Sequence, residues 1–297
     1  MPHGPRLLVT GASGFLGAHV ASLAPRTWSL IAHVHRSPLP TTETAVVAGA
    51  DLASERELEA LLDAHTPRAI VHTAACSRIA DCERDPSAAT RVNVEATARL
   101  ARWCAEHGAR FVHVSTDLVF GAVPAPDGGF REHDATAPLS SYGHSKLEAE
   151  HAVLAADPRA AIARLPLLIG PSHGRGLGAT DSVLAALLRG ETPSLFEDEW
   201  RTPLDVRSAA EALLELAAND LAGVLHVAGP ERLSRFDIGL RALRQTGLRD
   251  DQARAKLVRT TREAVGQAHR PRDVSLDSSR ARSLLSTLLI GLESGST

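Results

Sequence analysis

The chain is poor in cysteine and tyrosine, and it has no strong excess of charge of either sign. Its 297 residues include three cysteines and one tyrosine, and the formal net charge is -3. Cys76, Cys82 and Cys104 are odd in number and have no C-x-x-C spacing, which argues against a disulfide framework or a zinc site and favours a reducing cytoplasm. The near-neutral charge argues against a nucleic-acid-binding surface.

Long apolar runs are also missing. The longest run, near 284–292, is roughly half of the ~20 residues that a membrane span needs. The N-terminus leads into a strand without the charged and apolar regions of a signal peptide. The 14 histidines are scattered and form no H-E-x-x-H cluster, so we expect no metal site. These features predict a cytoplasmic protein that binds neither membranes nor nucleic acids.

The scarcity of lysine and tyrosine draws attention to one pair of residues. The only lysines are Lys146 and Lys256, and the only tyrosine is Tyr142. Residues four apart on a helix share a face, so Tyr142 and Lys146 point into one cleft. A nearby ammonium lowers the pKa of a phenol, which is about 10 in the free residue. The pair therefore predicts a general acid, with a solvated surface pair as the alternative.

Strand and helix patterns alternate through the first half of the chain. The predicted strands are 6–10, 28–34, 44–47, 69–72, 110–114, 160–165 and 224–227. The predicted helices are 15–23, 54–65, 86–107, 141–156, 181–188 and 211–218. Ser54 and Glu57 have the spacing of a capping box at the start of the second helix. The alternation predicts an α/β fold with a doubly wound parallel sheet.

A glycine-rich turn joins the first strand to the first helix. Its spacing, G-x-x-G-x-x-G, is one residue longer than the dinucleotide fingerprint of Rossmann folds. Glycines let the backbone approach a pyrophosphate, which binds the exposed amides of the helix N-terminus. A purely structural turn is the alternative. The cofactor-binding residues predicted here are Thr10, Gly11, Ser13, Gly14, Phe15, Leu16 and Gly17.

Arg36 is the candidate for cofactor selectivity. It lies about twenty residues beyond the last glycine, where an acid would bind the ribose hydroxyls of NAD and an arginine accommodates the 2′-phosphate of NADP. We therefore expect NADP(H) to be preferred, with NAD(H) as the second option. Asp51 and Leu52 follow the third strand and are predicted to lie near the adenine. The alternative for Arg36 is an ordinary exposed loop arginine.

Ser115, Thr116 and Asp117 directly follow the fifth strand. The carboxyl edge of a parallel sheet is where doubly wound folds bind ligands. A hydroxyl at this edge can hydrogen-bond the substrate oxygen that Tyr142 protonates, although a strand-end turn with capping hydroxyls is the alternative. Asn93 is predicted to hold a water in a proton relay.

In this order, these motifs resemble the extended short-chain dehydrogenase/reductases, and more closely the dTDP-4-dehydrorhamnose reductase family. The Ser-Thr-Asp-x-Val-Phe motif and a late Arg-Pro motif are the more specific marks. Leu118 stands where the family usually has an aromatic residue, and Thr73 where it has asparagine. The segments that carry the likeness are 10–17, 73–75, 81–83, 86–94, 114–121, 141–148, 164–165, 201–204 and 270–277.

The resemblance implies the roles of several residues. Thr116, Tyr142 and Lys146 are implied to be catalytic, and Lys146 also to hold the nicotinamide ribose. Asp117 and Arg201 are expected to contact the substrate, a nucleotide-linked sugar. Further cofactor contacts are implied for Thr73, Ala74, Ala75 and Asn93.

We expect the chain to fold into two structural units and to form a homodimer. An NAD(P)-binding Rossmann domain of residues 1–165 is rejoined by 205–228. A small substrate-binding lobe is built from 166–204 and 229–297.

Reduction of a 4-keto group on a nucleotide-activated deoxysugar is the predicted reaction. Dehydratases of this fold resemble one another in placing Asp-Glu after the threonine, which supplies an acid and a base, whereas Leu118 here cannot transfer a proton. Two alternatives stay open. One is a sugar-nucleotide epimerase or dehydratase, and the other is a non-catalytic NADP-binding partner that resembles the beta subunit of methionine adenosyltransferase.

Overall fold

The computed structural model describes residues 4–39, 45–172, 174–267 and 270–292. We number the strands and the helices in chain order. The strands are β1 Arg6–Thr10, β2 Ser29–Val34, β3 Val46–Gly49, β4 Ala69–His72, β5 Arg110–Thr116, β6 Ala161–Leu165, β7 Leu168–Ile169, β8 Ser194–Phe196, β9 Trp200–Arg201, β10 Leu204–Asp205, β11 Gly223–His226, β12 Leu233–Ser234 and β13 Val258–Thr260. The helices are α1 Phe15–Leu23, α2 Glu55–His65, α3 Ile79–Arg84, α4 Pro86–Thr90, α5 Ala96–His107, α6 Ser141–Ala156, α7 Ala179–Leu188, α8 Val206–Ala218, α9 Arg235–Arg244, α10 Asp250–Arg254 and α11 Ser279–Leu284.

Seven parallel strands form the central sheet, in the order β11-β6-β5-β4-β1-β2-β3. The chain runs outward from β1 in one direction and then returns to build the other half from β4. This reversal creates a topological switch point between β1 and β4, where ligands bind in open α/β sheets. The predicted doubly wound α/β fold is confirmed.

Alternate residues of the central strands serve two separate cores. Leu7 and Val9 pack with α1 and α8 on one face, whereas Leu8 packs with α2, α5 and α6 on the other. Successive side chains of a strand point to opposite faces of the sheet, so a run of apolar residues is buried on both sides. This double burial is the reason that β1 reads as an unbroken apolar strand.

The bounds of five predicted strands differ from the structure, and in three of them, 28–34, 160–165 and 224–227, by no more than one residue at either end. The predicted strand 44–47 is Val46–Gly49, and Thr44 lies outside the described residues. Val46 and Val47 are each 54% exposed at the sheet edge, so the apolar pattern there does not mark burial. In addition, β5 extends to Thr116 because Ser115 and Thr116 still pair with β6.

Predicted helix features also differ. The predicted helices 181–188 and 211–218 begin earlier, at Ala179 and Val206. The Ser54 hydroxyl accepts a hydrogen bond from the Glu57 amide as expected, but the Glu57 carboxylate accepts from the Asp51 amide at 2.8 Å instead of completing the capping box. The predicted helix 86–107 contains a π-turn over Arg91–Glu95 between α4 and α5. Such single π-turns occur frequently at functional sites.

Short paired strands and three helices form a layer beside the carboxyl edge of the sheet. The pairs are β7 with β10, β8 with β13, and β9 with β12. Val183, Phe236 and Leu243 belong to the core that joins α7, α9 and α10. Ala281 and Leu285 of the tail pack in the main core instead. The proposed division into two units stays a prediction.

Among the described residues, no helix combines the length and the apolar character needed to cross a membrane.

Candidate active site

Two adjoining cavities open at the carboxyl edge of the sheet. The first, which we call the edge groove, has a volume of about 490 Å³ and lies over the glycine-rich turn. The second, the lobe cavity, has a volume of about 990 Å³ and lies between the sheet edge and the layer of α7 and α9. The residues that line both cavities are Phe15, Ser77, Thr116, Tyr142, Pro166 and Leu168.

The glycine-rich turn has the form that a bound pyrophosphate requires. Gly11 has a φ of +68°, and a Cβ there would come within 2.8 Å of the Ala74 backbone. A Cβ on Gly17 would overlap the Gly11 carbonyl oxygen. Helix α1 begins after Gly14 with no side-chain cap and no acid in its first turn. The first amides of α1 therefore have no capping partner among the described side chains, and their residues line the edge groove. Such free amides at a helix N-terminus can bind an anion.

The edge groove collects most of the residues predicted to bind the cofactor. His35 and Ser37 flank Arg36 in its lining and were not predicted. The only feature of the sequence that could have predicted them is their position beside Arg36, after β2. The predicted residues in the lining are Gly11, Ser13, Gly14, Phe15, Leu16, Gly17, Arg36, Asp51, Leu52, Thr73, Ala74, Ala75, Tyr142 and Lys146.

Thr10 lies behind the edge groove rather than in its lining. It is fully buried, and its hydroxyl is 2.7 Å from His72 Nδ1. The Ala74 amide donates to the same hydroxyl at 3.3 Å. These contacts join the end of β1 to the end of β4, so the side chain of Thr10 stabilises the switch point from behind the groove, and its contact with a cofactor stays a prediction.

Asn93 is buried and lies outside the lining of both cavities. Its amide nitrogen donates to the Cys76 carbonyl at 3.1 Å and to the Ser145 hydroxyl at 2.9 Å, and its amide oxygen accepts from the Cys76 amide at 2.8 Å. The Ser145 hydroxyl in turn donates to the Tyr142 carbonyl at 2.8 Å. Both amide hydrogens of Asn93 are therefore used, and its side chain links the loop after β4 to α6. Its role in holding a water stays a prediction.

Thr116 and Tyr142 lie at the junction of the two cavities. The Thr116 hydroxyl donates to Asp117 Oδ1 at 3.1 Å and accepts from the Leu118 amide at the same distance. The Tyr142 phenol lies close enough to the Thr116 hydroxyl for that hydroxyl to affect the pKa of the phenol. The hydroxyl and the phenol can thus contact one atom of a ligand that spans both cavities. Lys146 lies one helical turn beyond Tyr142 and lines only the edge groove.

Charged side chains concentrate on one wall of the lobe cavity. Arg201 Nε lies 3.4 Å from Asp117 Oδ2, and Arg201 Nη2 donates to Glu199 at 2.9 Å. Arg270 donates to the other oxygen of Glu199 at 2.9 Å. Arg235 lines the same wall. Asp117 and Arg201, the predicted substrate residues, are therefore in contact. Glu199 and Arg235 were missed because no local pattern marks them.

The family model described as RmlD substrate binding domain matches residues 5–290. The chain belongs to this family. The chain is 36% identical to a dTDP-4-dehydrorhamnose reductase of Mycobacterium tuberculosis over 78% of its own length and 72% of that protein. It is 30% identical to methionine adenosyltransferase 2 subunit beta of Pongo abelii over 94% of its own length and 82% of that protein.

A solved structure has the same fold over almost the whole chain. It is described as a hypothetical dTDP-4-dehydrorhamnose reductase from Sulfolobus tokodaii and is 30% identical, with a TM-score of 0.81 and 97% of both chains covered. These findings confirm the resemblance to the extended short-chain dehydrogenase/reductases, and they support an NAD(P)-dependent oxidoreductase.

The electrostatics of Tyr142 differ from the prediction. Burial raises the pKa of the phenol, and the neighbouring Asp117 carboxylate raises it further, while the Thr116 hydroxyl opposes both. The predicted lowering by Lys146 is wrong in this structure. Burial also lowers the pKa of Lys146 to about 7, so near neutral pH its charge is only partial and stabilises a phenolate weakly.

The Lys146 side chain contacts a neutral histidine in the interior of the protein. Its ammonium nitrogen is 3.1 Å from His113 Nε2. Burial, together with Lys146 and His72, lowers the pKa of His113 well below its usual value, so the imidazole accepts a hydrogen bond from the lysine. Glu150, which is paired with Arg164 at 2.7 Å, opposes the lowering of the Lys146 pKa. These contacts fix the lysine beneath the edge groove.

Asp117 is expected to make stability depend on pH. Burial raises the pKa of its carboxyl from 3.8 to about 6, against the opposing effect of Arg201. Because the folded state binds this proton more tightly than the unfolded state, the contribution is present at low pH and is lost as pH rises through about 6. Relative to Asp117→Asn, the wild type should lose about 2 kcal/mol of unfolding free energy between about pH 4.5 and about pH 7.

Denaturant titrations of the wild type and Asp117→Asn at both pH values measure this loss. Asp63→Asn, on the exposed face of α2, is the matched control and should follow the wild type at both. A constant difference between the wild type and Asp117→Asn across the interval would show that this carboxyl does not titrate there.

Proposed function

We propose that this protein reduces the 4-keto group of a nucleotide-activated deoxysugar, with NADPH as the reductant. One observation carries the proposal: Thr116 and Tyr142 line both cavities, at the point where the edge groove meets the lobe cavity. A cofactor in the groove and a sugar nucleotide in the lobe cavity would meet at these two side chains. The relative from Mycobacterium tuberculosis, named as a dTDP-4-dehydrorhamnose reductase, supports this choice of substrate class.

The residues of the junction suit carbonyl reduction. Bound in the groove, the reduced cofactor supplies the hydride. Tyr142 gives the proton to the carbonyl oxygen, and its raised pKa keeps the phenol protonated at neutral pH until an alkoxide develops. The Thr116 hydroxyl, which donates its one proton to Asp117 in this structure, turns that proton to the developing alkoxide. Lys146 lines the groove beside Tyr142, where its ammonium can hold the ribose hydroxyls of the cofactor.

The lobe cavity suits a nucleotide-linked sugar. Arg201, Arg235 and Arg270 place guanidinium groups on one wall, and such groups bind phosphate oxygens in a forked geometry. Only Arg235 of the three has no hydrogen bond from its guanidinium among the described contacts, whereas the other two bind Glu199. We propose that Asp117 contacts the sugar hydroxyls. The predicted homodimer stays a prediction.

A partner protein without turnover is the second candidate. The methionine adenosyltransferase beta subunit of Pongo abelii matches 94% of this chain, which favours that class. The two candidates make different predictions for the purified protein. A reductase oxidises NADPH when a 4-keto sugar nucleotide is added, whereas a partner protein binds NADPH without turnover and co-purifies with a heterologous subunit.

The reaction itself is tested by following the absorbance of NADPH and the product mass together, with dTDP-4-keto-6-deoxyglucose-type sugar nucleotides as substrates. We expect one NADPH to be consumed for each product, which is heavier than the substrate by two hydrogens. A product of unchanged mass without NADPH loss would place the protein among the epimerases, and a product lighter by water among the dehydratases.

Arg36 is expected to select NADPH over NADH. It lies in the groove with His35 and Ser37, all of which can donate to a 2′-phosphate. Arg36→Asp should weaken NADPH binding by about tenfold or more, the value of one charge-assisted contact, and should favour NADH. Dissociation constants for both cofactors measure this change. Arg102→Asp, on the exposed face of α5, is the control. If the wild type bound NADPH and NADH with equal affinity, Arg36 would not be the residue that selects NADPH.

A further inference from the structure

Two of the three free thiols lie in contact beside the active site. Cys76 Sγ and Cys82 Sγ are 3.5 Å apart, and the Cys82 thiol also approaches the Cys76 carbonyl at 3.2 Å. Cys76 lies half-buried in the loop after β4, and Cys82 is buried on α3. A disulfide has an S–S bond of about 2.05 Å, so these sulfur atoms need to move by only about 1.5 Å to form one.

The thiol pair is joined to both cavities through its neighbours in the chain. Ala75 lines the edge groove, and Ser77 lines both cavities. Ile79 and Ala80, the first two residues of the helix that carries Cys82, line the lobe cavity. The peptide groups of Cys76 are held on both sides by Asn93. A change in the backbone at Cys76 must therefore move the lining of the site.

We propose that Cys76 and Cys82 form an oxidisable dithiol that peroxide converts to a disulfide. Peroxide takes two electrons from the Cys76 sulfur, giving a sulfenic acid and water. The Cys82 thiol then attacks that sulfur, which forms the S–S bond and releases a second water. In total, two thiols and one peroxide give one disulfide and two waters, and a dithiol reductant reverses the change.

The different surroundings of the two sulfurs assign them different roles. Cys76 is half-buried next to residues that line the cavities, so peroxide can reach it. Cys82 is buried against Cys76, and burial with the contact to Cys76 raises its pKa to about 12. It therefore reacts as the resolving thiol, after the first oxidation. Most intracellular cysteines stay reduced, and redox-sensing pairs are the recognised exception.

Formation of the bond is expected to disturb the site through Asn93. Pulling Cys76 towards α3 strains the two hydrogen bonds of its peptide groups with Asn93, which also holds Ser145 beneath Tyr142. It also shifts Ala75 and Ser77 in the lining of the edge groove. We expect NADPH affinity to fall by about tenfold, within the usual range of coupling between two sites. This inference does not depend on the identity of the sugar substrate.

Peptide mapping tests the bond directly. The chain has arginine at positions 68, 78 and 84, so trypsin separates the peptide 69–78 from 79–84 unless a disulfide joins them. After treatment of the whole protein with hydrogen peroxide, we expect the joined pair under non-reducing conditions and its separation by dithiothreitol. NADPH titrations before oxidation, after it and after reduction measure the change in affinity.

Three variants make the result specific. Cys82→Ser and Cys76→Ser should each prevent the joined peptide and keep NADPH affinity under peroxide, so either variant alone suffices if the other does not fold. Cys104→Ala removes the remaining thiol, which is buried on α5, and should behave as the wild type. Oxidation of Cys76 to sulfinic acid without the joined peptide would overturn the proposal. So would a joined peptide with unchanged NADPH affinity.

Discussion

Replacing Tyr142 with phenylalanine is expected to lower kcat by about 10²-fold or more, the loss typical of a missing general acid. The substitution removes one oxygen and keeps the ring, so NADPH binding should change little. The phenol is the proposed acid and lies at the junction of the cavities, beside Thr116. Steady-state kinetics with a 4-keto sugar nucleotide and direct NADPH titration separate the two effects.

His144→Phe provides the matched control for this substitution. His144 lies two residues further along α6 and is exposed, so it adds an aromatic ring to the same helix away from the cavities. We expect its kcat to equal that of the wild type. Full activity of Tyr142→Phe would show that the proton comes from another group, and the proposed mechanism would fail.

Replacing Lys146 with methionine is expected to impair both turnover and cofactor binding. In the proposed mechanism the Lys146 ammonium holds the ribose hydroxyls and so positions the nicotinamide beside Tyr142, and its removal should therefore lower kcat by about 10²-fold. It should also raise the NADPH dissociation constant by about tenfold, the value of a hydrogen bond to a charged group. Methionine fills a similar volume without burying a charge. The joint loss distinguishes Lys146 from Tyr142, whose substitution affects kcat alone.

The chain supplies its own control for the lysine experiment. Lys256, the only other lysine, is exposed and lines neither cavity, so Lys256→Met should leave both constants unchanged. The folded state of Lys146→Met is checked by thermal unfolding. Unchanged NADPH affinity in a folded Lys146→Met protein would show that Lys146 does not bind the ribose of the cofactor.

Features set by local sequence were predictable. The glycine-rich turn, β1 and the helix 141–156 follow from patterns within a few residues, and the structure places them as expected. Tyr142 and Lys146 stood out because the composition leaves each nearly unique. The spacing that places both on one side of α6 is a property of the helix alone.

Features that depend on distant partners were not predictable in the same way. The hydrogen bonds of Thr10 and Asn93 depend on His72 and Cys76, which other elements bring into contact. The raised pKa of Tyr142 depends on how completely the fold buries it, and spacing does not report burial. The contact of Cys76 with Cys82 likewise requires the turn from the end of β4 into α3.

Transfer of deuterium from labelled NADPH to the product shows whether this protein reduces a sugar nucleotide. The wild type is incubated with a 4-keto sugar nucleotide and NADPH that carries deuterium at both hydrogens of nicotinamide C4. We expect every product molecule to gain one deuterium on carbon and one proton on oxygen, with one NADPH oxidised per product. Product that contains no deuterium, or NADPH that is bound and never oxidised, would contradict the claim that this protein is a sugar-nucleotide reductase.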